Sequence, residues 1–140
     1  MDDIDDSTAT SIMQRFGKAY FSRDAALLAS VITDDAEWRF ALGEAGEGGP
    51  DGRVRKGLAG FLQGIVDNDA LFETLRFEDV SCKGLGADQI VMTYLVRGQY
   101  RGGAAFALRG IELITVRDGR IALKDVFWKQ LLPGADSAAA

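Results

Sequence analysis

The chain has 140 residues, a formal net charge of −5 and no histidine. Its length fits one domain with a sizeable core, and its acidic balance argues against nucleic acid, because no basic patch is present to displace counterions. The missing histidines exclude Ser-His and Cys-His nucleophile pairs and most zinc and iron sites, so a transition-metal enzyme is not expected and catalysis would fall to Asp, Glu, Lys, Tyr or Arg.

Arg53, Arg55 and Lys56 form the densest basic group, too small to alter that balance. Cys82 has no second cysteine to pair with, which makes the cytoplasm the expected compartment. No run of 18 apolar residues marks a membrane span, and the opening MDDIDDSTAT is acidic, the opposite of a secretory signal.

In chain order, residues 1–6 read as a loose acidic terminus, and Ser7 or Thr8 as the cap of a first helix. Ile12, Met13, Phe16, Ala19 and Tyr20 fall on one stripe of that helix. Asp24 looks like the N-cap of a second, short helix, with Leu27, Leu28, Val31 and Ile32 turned inward. Thr33-Asp34-Asp35 breaks that pattern, and Ala36 to Leu42 alternates as a strand with Trp38 and Phe40 on one face. The Gly-rich stretch from Gly43 to Gly52 reads as a mobile surface loop, without the Gly-Lys-Ser/Thr of a phosphate loop. A third helix is expected from about Val54 to Val66, with Leu58, Phe61, Leu62, Ile65 and Val66 facing the core, and with Gly57, Gly60 and Gly64 permitting close backbone approach. Strands follow at Leu75 to Lys83 and Gln89 to Arg101, with Asp67 to Thr74 as a connection before them. Residues 133–140 read as a disordered tail beginning at Pro133.

The last strands, either side of Arg117-Asp118-Gly119, form a hairpin whose register carries the chemistry. A two-residue loop sets Arg117 opposite Arg120 and Glu112 opposite Asp125, two carboxylates side by side. A three-residue loop sets Val116 opposite Arg120 and Glu112 opposite Lys124, a favourable cross-strand pair. The three-residue loop is preferred, because Gly119 suits its left-handed position. It places Gly110, Glu112, Ile114, Ala122, Lys124, Val126 and Trp128 on one face and Arg109, Ile111, Leu113, Ile121, Leu123, Asp125 and Phe127 on the other. Both faces are largely apolar and need covering, one by helices and one by another sheet or a second subunit.

Helices early and strands late mean an α+β fold, with three helices laid on one face of a curved antiparallel sheet and a conical cavity between them. The segments FGKAYFSRDAALLASVITDDAEW, GLAGFLQGI and ITVRDGRIALKDVFW together resemble the SnoaL-like (polyketide cyclase-like) branch of the nuclear transport factor 2-like superfamily, over about residues 7 to 132. The resemblance implies a cystatin-like cone, homodimerisation through the outer sheet face, and a small-molecule pocket without a cofactor. It leaves the reaction open, because the superfamily includes isomerases, dehydratases, epoxide hydrolases, cyclases and non-catalytic binders.

Carried over residue by residue, it puts Phe16 where ketosteroid isomerases have their oxyanion-stabilising Tyr, Phe40 where they have the base Asp, and Glu112 at or near their second acid. Tyr20 falls where scytalone dehydratases have a Tyr, and Lys124-Asp125-Val126-Phe127 resembles the Arg-Asp-Tyr-Phe run of the epoxide hydrolases.

The candidate catalytic set is therefore Glu112 as acid or base, with Tyr20 and Lys124 stabilising charge and Asp125 as the alternative acid. Glu112 reads equally as a structural partner of Lys124, and Asp125 as a partner of Arg109 on the outer face. Phe16, Trp38, Phe40, Tyr94, Val126 and Trp128 are the expected lining for a small apolar molecule. Either cofactor-independent acid–base chemistry or a non-catalytic binding and dimerising module is compatible with this set.

Overall fold

The computed structural model describes residues 2–43 and 49–130, so the expected tail at 133–140 and the middle of the Gly-rich loop lie outside the described residues. The elements run α1 (Asp6–Ser22), α2 (Ala25–Val31), β1 (Ile32–Arg39), β2 (Val54–Lys56), α3 (Gly57–Leu71), β3 (Phe72–Leu85), β4 (Gln89–Tyr100), β5 (Ala105–Arg117) and β6 (Arg120–Trp128). The fold is α+β: one six-stranded sheet in the order β2-β1-β6-β5-β4-β3, antiparallel except for the parallel pair β1–β6. Among the described residues no helix is long and apolar enough to cross a membrane.

α1 starts earlier than the Ser7 or Thr8 cap implied. Asp5 is the N-cap, its carboxylate accepting from the Thr8 N–H at 2.7 Å. The residues on either side of it are held rather than loose: the Ile4 N–H donates to the Gly86 carbonyl, and Asp6 accepts from the Gly84 N–H and pairs with Lys83. Asp24 caps α2 as its position suggests, accepting from the Ala26 and Leu27 N–H groups. In α2 only Leu28 is fully buried; Leu27 is exposed and Ile32 belongs to β1.

The expected third helix divides. Val54–Lys56 pairs with β1 as β2, and the helix itself begins at Gly57 and runs on to Leu71. Phe61 and Ile65 point into the core, Val66 outward. Gly64 is where α3 lies on Trp38 and Phe40, since a Cβ there would come within 2.5 Å of the indole.

The hairpin settles into neither regular register. Asp118 and Gly119 both have positive φ, the signature of a two-residue type I′ turn, and Arg117 faces Arg120. The ladder then slips by one at Ala122, so that Thr115 faces Leu123, Ile114 faces Lys124 and Glu112 faces Val126. This bulge moves Ile121 to the core face, where it is fully buried, and corrects the expected placement of Ala122 there. Nearer the strand ends it leaves Glu112, Lys124, Val126 and Trp128 together on the face covered by the helices.

The core has two parts on that face. Phe16, Trp38, Phe61, Ile65 and Ile121 belong to one, between α1, α3 and β1; Phe72, Tyr94, Val96 and Phe106 form the other, over β3 to β5. Burying a side chain such as Phe61 fully contributes about 1.5–3 kcal/mol.

Candidate functional site

Three rungs of β4, β5 and β6 that follow one another on the helix-covered face, with outward-facing rungs between them, build the polar part of the site. The first is Tyr94–Gly110–Trp128, the second Met92–Glu112–Val126, the third Ile90–Ile114–Lys124. Glu112 thus lies in the middle, with Tyr94 one rung away on one side and Lys124 one rung away on the other. Both reach it diagonally. The Tyr94 hydroxyl donates to Oε2 at 2.6 Å and Lys124 Nζ donates to Oε1 at 2.6 Å. Trp128 Nε1 donates in turn to the Tyr94 oxygen at 3.0 Å. Glu112 and Lys124 are both buried. The ion pair and the tyrosine hydrogen bond together offset the desolvation of the carboxylate.

Gly110 makes that first rung possible. A Cβ there would meet Tyr94 Cε1 at 2.4 Å and Trp128 Cδ1 at 2.9 Å, so only glycine lets the two side chains close over β5. On the other flank β1 runs beside β6 and places Trp38 next to Lys124, whose Nζ lies 5.2 Å from the Trp38 ring centroid and 5.7 Å from that of Phe16.

Above these rungs is a cavity of about 490 Å³ between the sheet and α1 and α3. Its wall includes Phe16, Tyr20, Trp38, Phe40, Tyr94, Glu112, Lys124, Val126 and Trp128. Asp125 is not part of it: its side chain is on the outer face of the sheet, paired with Arg39 at 3.5 Å. That also corrects its expected pairing with Arg109, which instead reaches Asp79. The β6 parity that faces Lys124 inward turns its neighbour outward. Burial pushes the Asp125 carboxyl up, opposed by the charge of Arg39.

Residues that sequence reasoning passed over complete the wall. Asn68 Nδ2 donates to the Tyr20 oxygen at 2.9 Å, and so fixes the tyrosine at the cavity's edge. Phe72, Phe77 and Met92 add apolar surface, and Arg53 stands over the Phe40 ring, with its guanidinium 5.7 Å from the centroid. Among the described residues no three His, Cys, Asp or Glu side chains converge on a cation position.

Burial pushes the phenols of Tyr20 and Tyr94 upward from their ordinary value, with the Glu112 charge adding to the shift at Tyr94. Because the folded values lie above the unfolded one, this stabilisation is complete below pH ~10 and is lost as the pH rises beyond it. Equilibrium urea unfolding at pH 9, 10 and 11 is therefore expected to show stability falling over the last interval, with the buried phenols still protonated by ultraviolet difference absorbance. Full tyrosinate absorbance in the folded protein at pH 11 would contradict the burial.

Comparison with known proteins bears on this fold and site. A SnoaL-like domain family model matches residues 13–124. The solved structures similar to the chain include a nuclear transport factor 2-like protein from Burkholderia xenovorans LB400, with TM-score 0.73, 18% identity, and coverage of 88% of this chain and 90% of that one. Another is a candidate polyketide cyclase from Silicibacter sp. TM1040, with TM-score 0.70, 15% identity, and coverage of 90% and 92%. A protein of unknown function with a cystatin-like fold from Xanthomonas campestris has TM-score 0.61, 20% identity, and coverage of 87% and 91%. At these identities the likeness is one of fold. No curated protein sequence matches the chain.

Proposed function

The chain belongs to the SnoaL-like domain family, and from that premise we propose that its cavity holds a small, largely apolar carbonyl or ring compound on which Glu112 performs acid–base chemistry. The observation that carries this reading is a buried carboxylate–ammonium pair at the wall of a largely apolar cavity. Glu112 takes a proton from the carbon next to the carbonyl. Once neutral, it no longer holds the Lys124 ammonium and the Tyr94 hydroxyl, and both become available to the developing oxyanion. Tyr20, steadied by Asn68, is a further donor from the helical side.

Deuterium exchange at the α-carbons of a panel of small cyclic ketones, followed by proton NMR, tests this. Exchange is expected with the native protein and reduced by roughly 10²–10⁴-fold in Glu112→Gln. Binding without any exchange would leave a second reading, a non-catalytic ligand carrier. That reading has an observation in its favour, since both Glu112 oxygens are already engaged by Lys124 and Tyr94.

The reading also includes a homodimer. Ile111, Leu113 and Phe127 are exposed together on the outer sheet face, where β5 and β6 are neighbours. Sedimentation velocity at micromolar concentration is expected to give a dimer that Leu113→Glu dissociates; a monomeric native protein would contradict it.

A further inference from the structure

Four of the five lysines, Lys18, Lys56, Lys83 and Lys129, are exposed, whereas Lys124 is buried in the cavity wall. As a mere counter-ion it is an expensive choice, because a well-packed apolar pair in place of a buried ion pair is often as stable or more so. Its surroundings are those of an amine used as a nucleophile: a carboxylate at 2.6 Å to receive its proton, and two aromatic rings beside it that keep bulk water away.

We propose that Lys124 Nζ forms an imine with an aldehyde or ketone held in the cavity, with Glu112 carrying the protons. The proposal rests on the cavity being a small-molecule site, but not on Glu112 drawing a proton from carbon. When an apolar ligand displaces the water in the cavity, the cost of two separate charges rises, and the proton on Nζ passes to Oε1 along their hydrogen bond. The nitrogen lone pair then adds to the carbonyl carbon as the C=O π pair moves onto oxygen, and a proton shifts from nitrogen to that oxygen to give a neutral carbinolamine. Glu112 returns its proton to the hydroxyl, the C–O bond breaks, and water departs. Lys124 is left as a protonated imine beside a carboxylate. No oxidant or reductant enters, and one cation replaces another, so the partners that held the ammonium hold the iminium.

Reductive trapping of the native protein with 2-naphthaldehyde and sodium cyanoborohydride, followed by peptide mass mapping, tests this. The reduced adduct adds the aldehyde's mass less one oxygen. It is expected at Lys124 roughly tenfold or more faster than at any exposed lysine. It is also expected to be suppressed by 2-naphthylmethanol, which has the shape without the carbonyl, slowed in Glu112→Gln and lost in Lys124→Arg. Binding of 2-naphthylmethanol is read separately by quenching of Trp38 and Trp128, the two tryptophans of the chain and both in the cavity wall. If that alcohol binds while only exposed lysines are trapped, the imine is overturned and the cavity reading stands. If neither compound binds, both fall.

Discussion

Replacing Lys124 by methionine is expected to lower the unfolding free energy by about 3–5 kcal/mol at neutral pH, because it strands the buried Glu112 carboxylate without its cation. The Nζ–Oε1 distance is 2.6 Å and the side chains are 9% and 3% exposed, so the carboxylate would be left largely desolvated. Only the Tyr94 hydroxyl would remain on the carboxylate. Adding Glu112→Leu to Lys124→Met should reverse the effect. With both charges gone, the wall becomes apolar throughout, and the double variant is expected to match the parent or exceed it by up to about 4 kcal/mol. Urea unfolding of the two single variants and the double variant checks this as a thermodynamic cycle. Additive single losses would contradict the coupling of the two groups. A stable double variant that no longer binds or exchanges ketones would show that the pair is kept for chemistry rather than for folding.

The second large effect is expected at Gly110. Gly110→Ala puts a Cβ 2.4 Å from Tyr94 Cε1 and 2.9 Å from Trp128 Cδ1. Phe77 is packed edge-on against Tyr94 with ring centroids 4.9 Å apart, which blocks retreat on that side. Overpacking of this kind costs about 1–3 kcal/mol. The strain falls on the Trp128–Tyr94–Glu112 chain of hydrogen bonds, so ligand binding should weaken along with stability. Denaturation with ligand titration in parallel reads both. An alanine variant with unchanged stability and affinity would mean that the first rung is looser than described.

How far the sequence reaches is clearest at the hairpin. Asp118-Gly119 announced a turn, and the three-residue loop preferred from the sequence put Glu112 and Lys124 on one face, where the structure brings them by a two-residue turn and a bulge. The bulge at Ala122 had no local mark, because Ala is unremarkable in either geometry and the slip is set by how β6 fits between β5 and β1. The same cause explains β2. Val54–Lys56 reads in the sequence as the start of the third helix and becomes a strand by pairing with β1. Ile4 and Asp6 look like a solvated terminus until β3 brings Lys83, Gly84 and Gly86 beside them. Asp125 was paired with Arg109 by cross-strand reasoning, but parallel neighbour β1 offers Arg39 at closer range.

In the site, the aromatic residues were legible because large apolar side chains at helical or alternating spacing point inward. Asn68 was not legible: a polar residue in what reads as a connection becomes informative only when α3 extends through it and turns its amide onto Tyr20, 48 positions earlier in the chain.

The most direct test is a crystal structure of the protein with a cyclic ketone or with whatever molecule it retains through purification. The account predicts that molecule between the sheet and α1, its apolar body against Phe16, Trp38 and Trp128 and its oxygen within hydrogen-bonding distance of the Glu112–Lys124 pair. A ligand seated elsewhere, or one whose oxygen points away from that pair towards the mouth of the cavity, would contradict it.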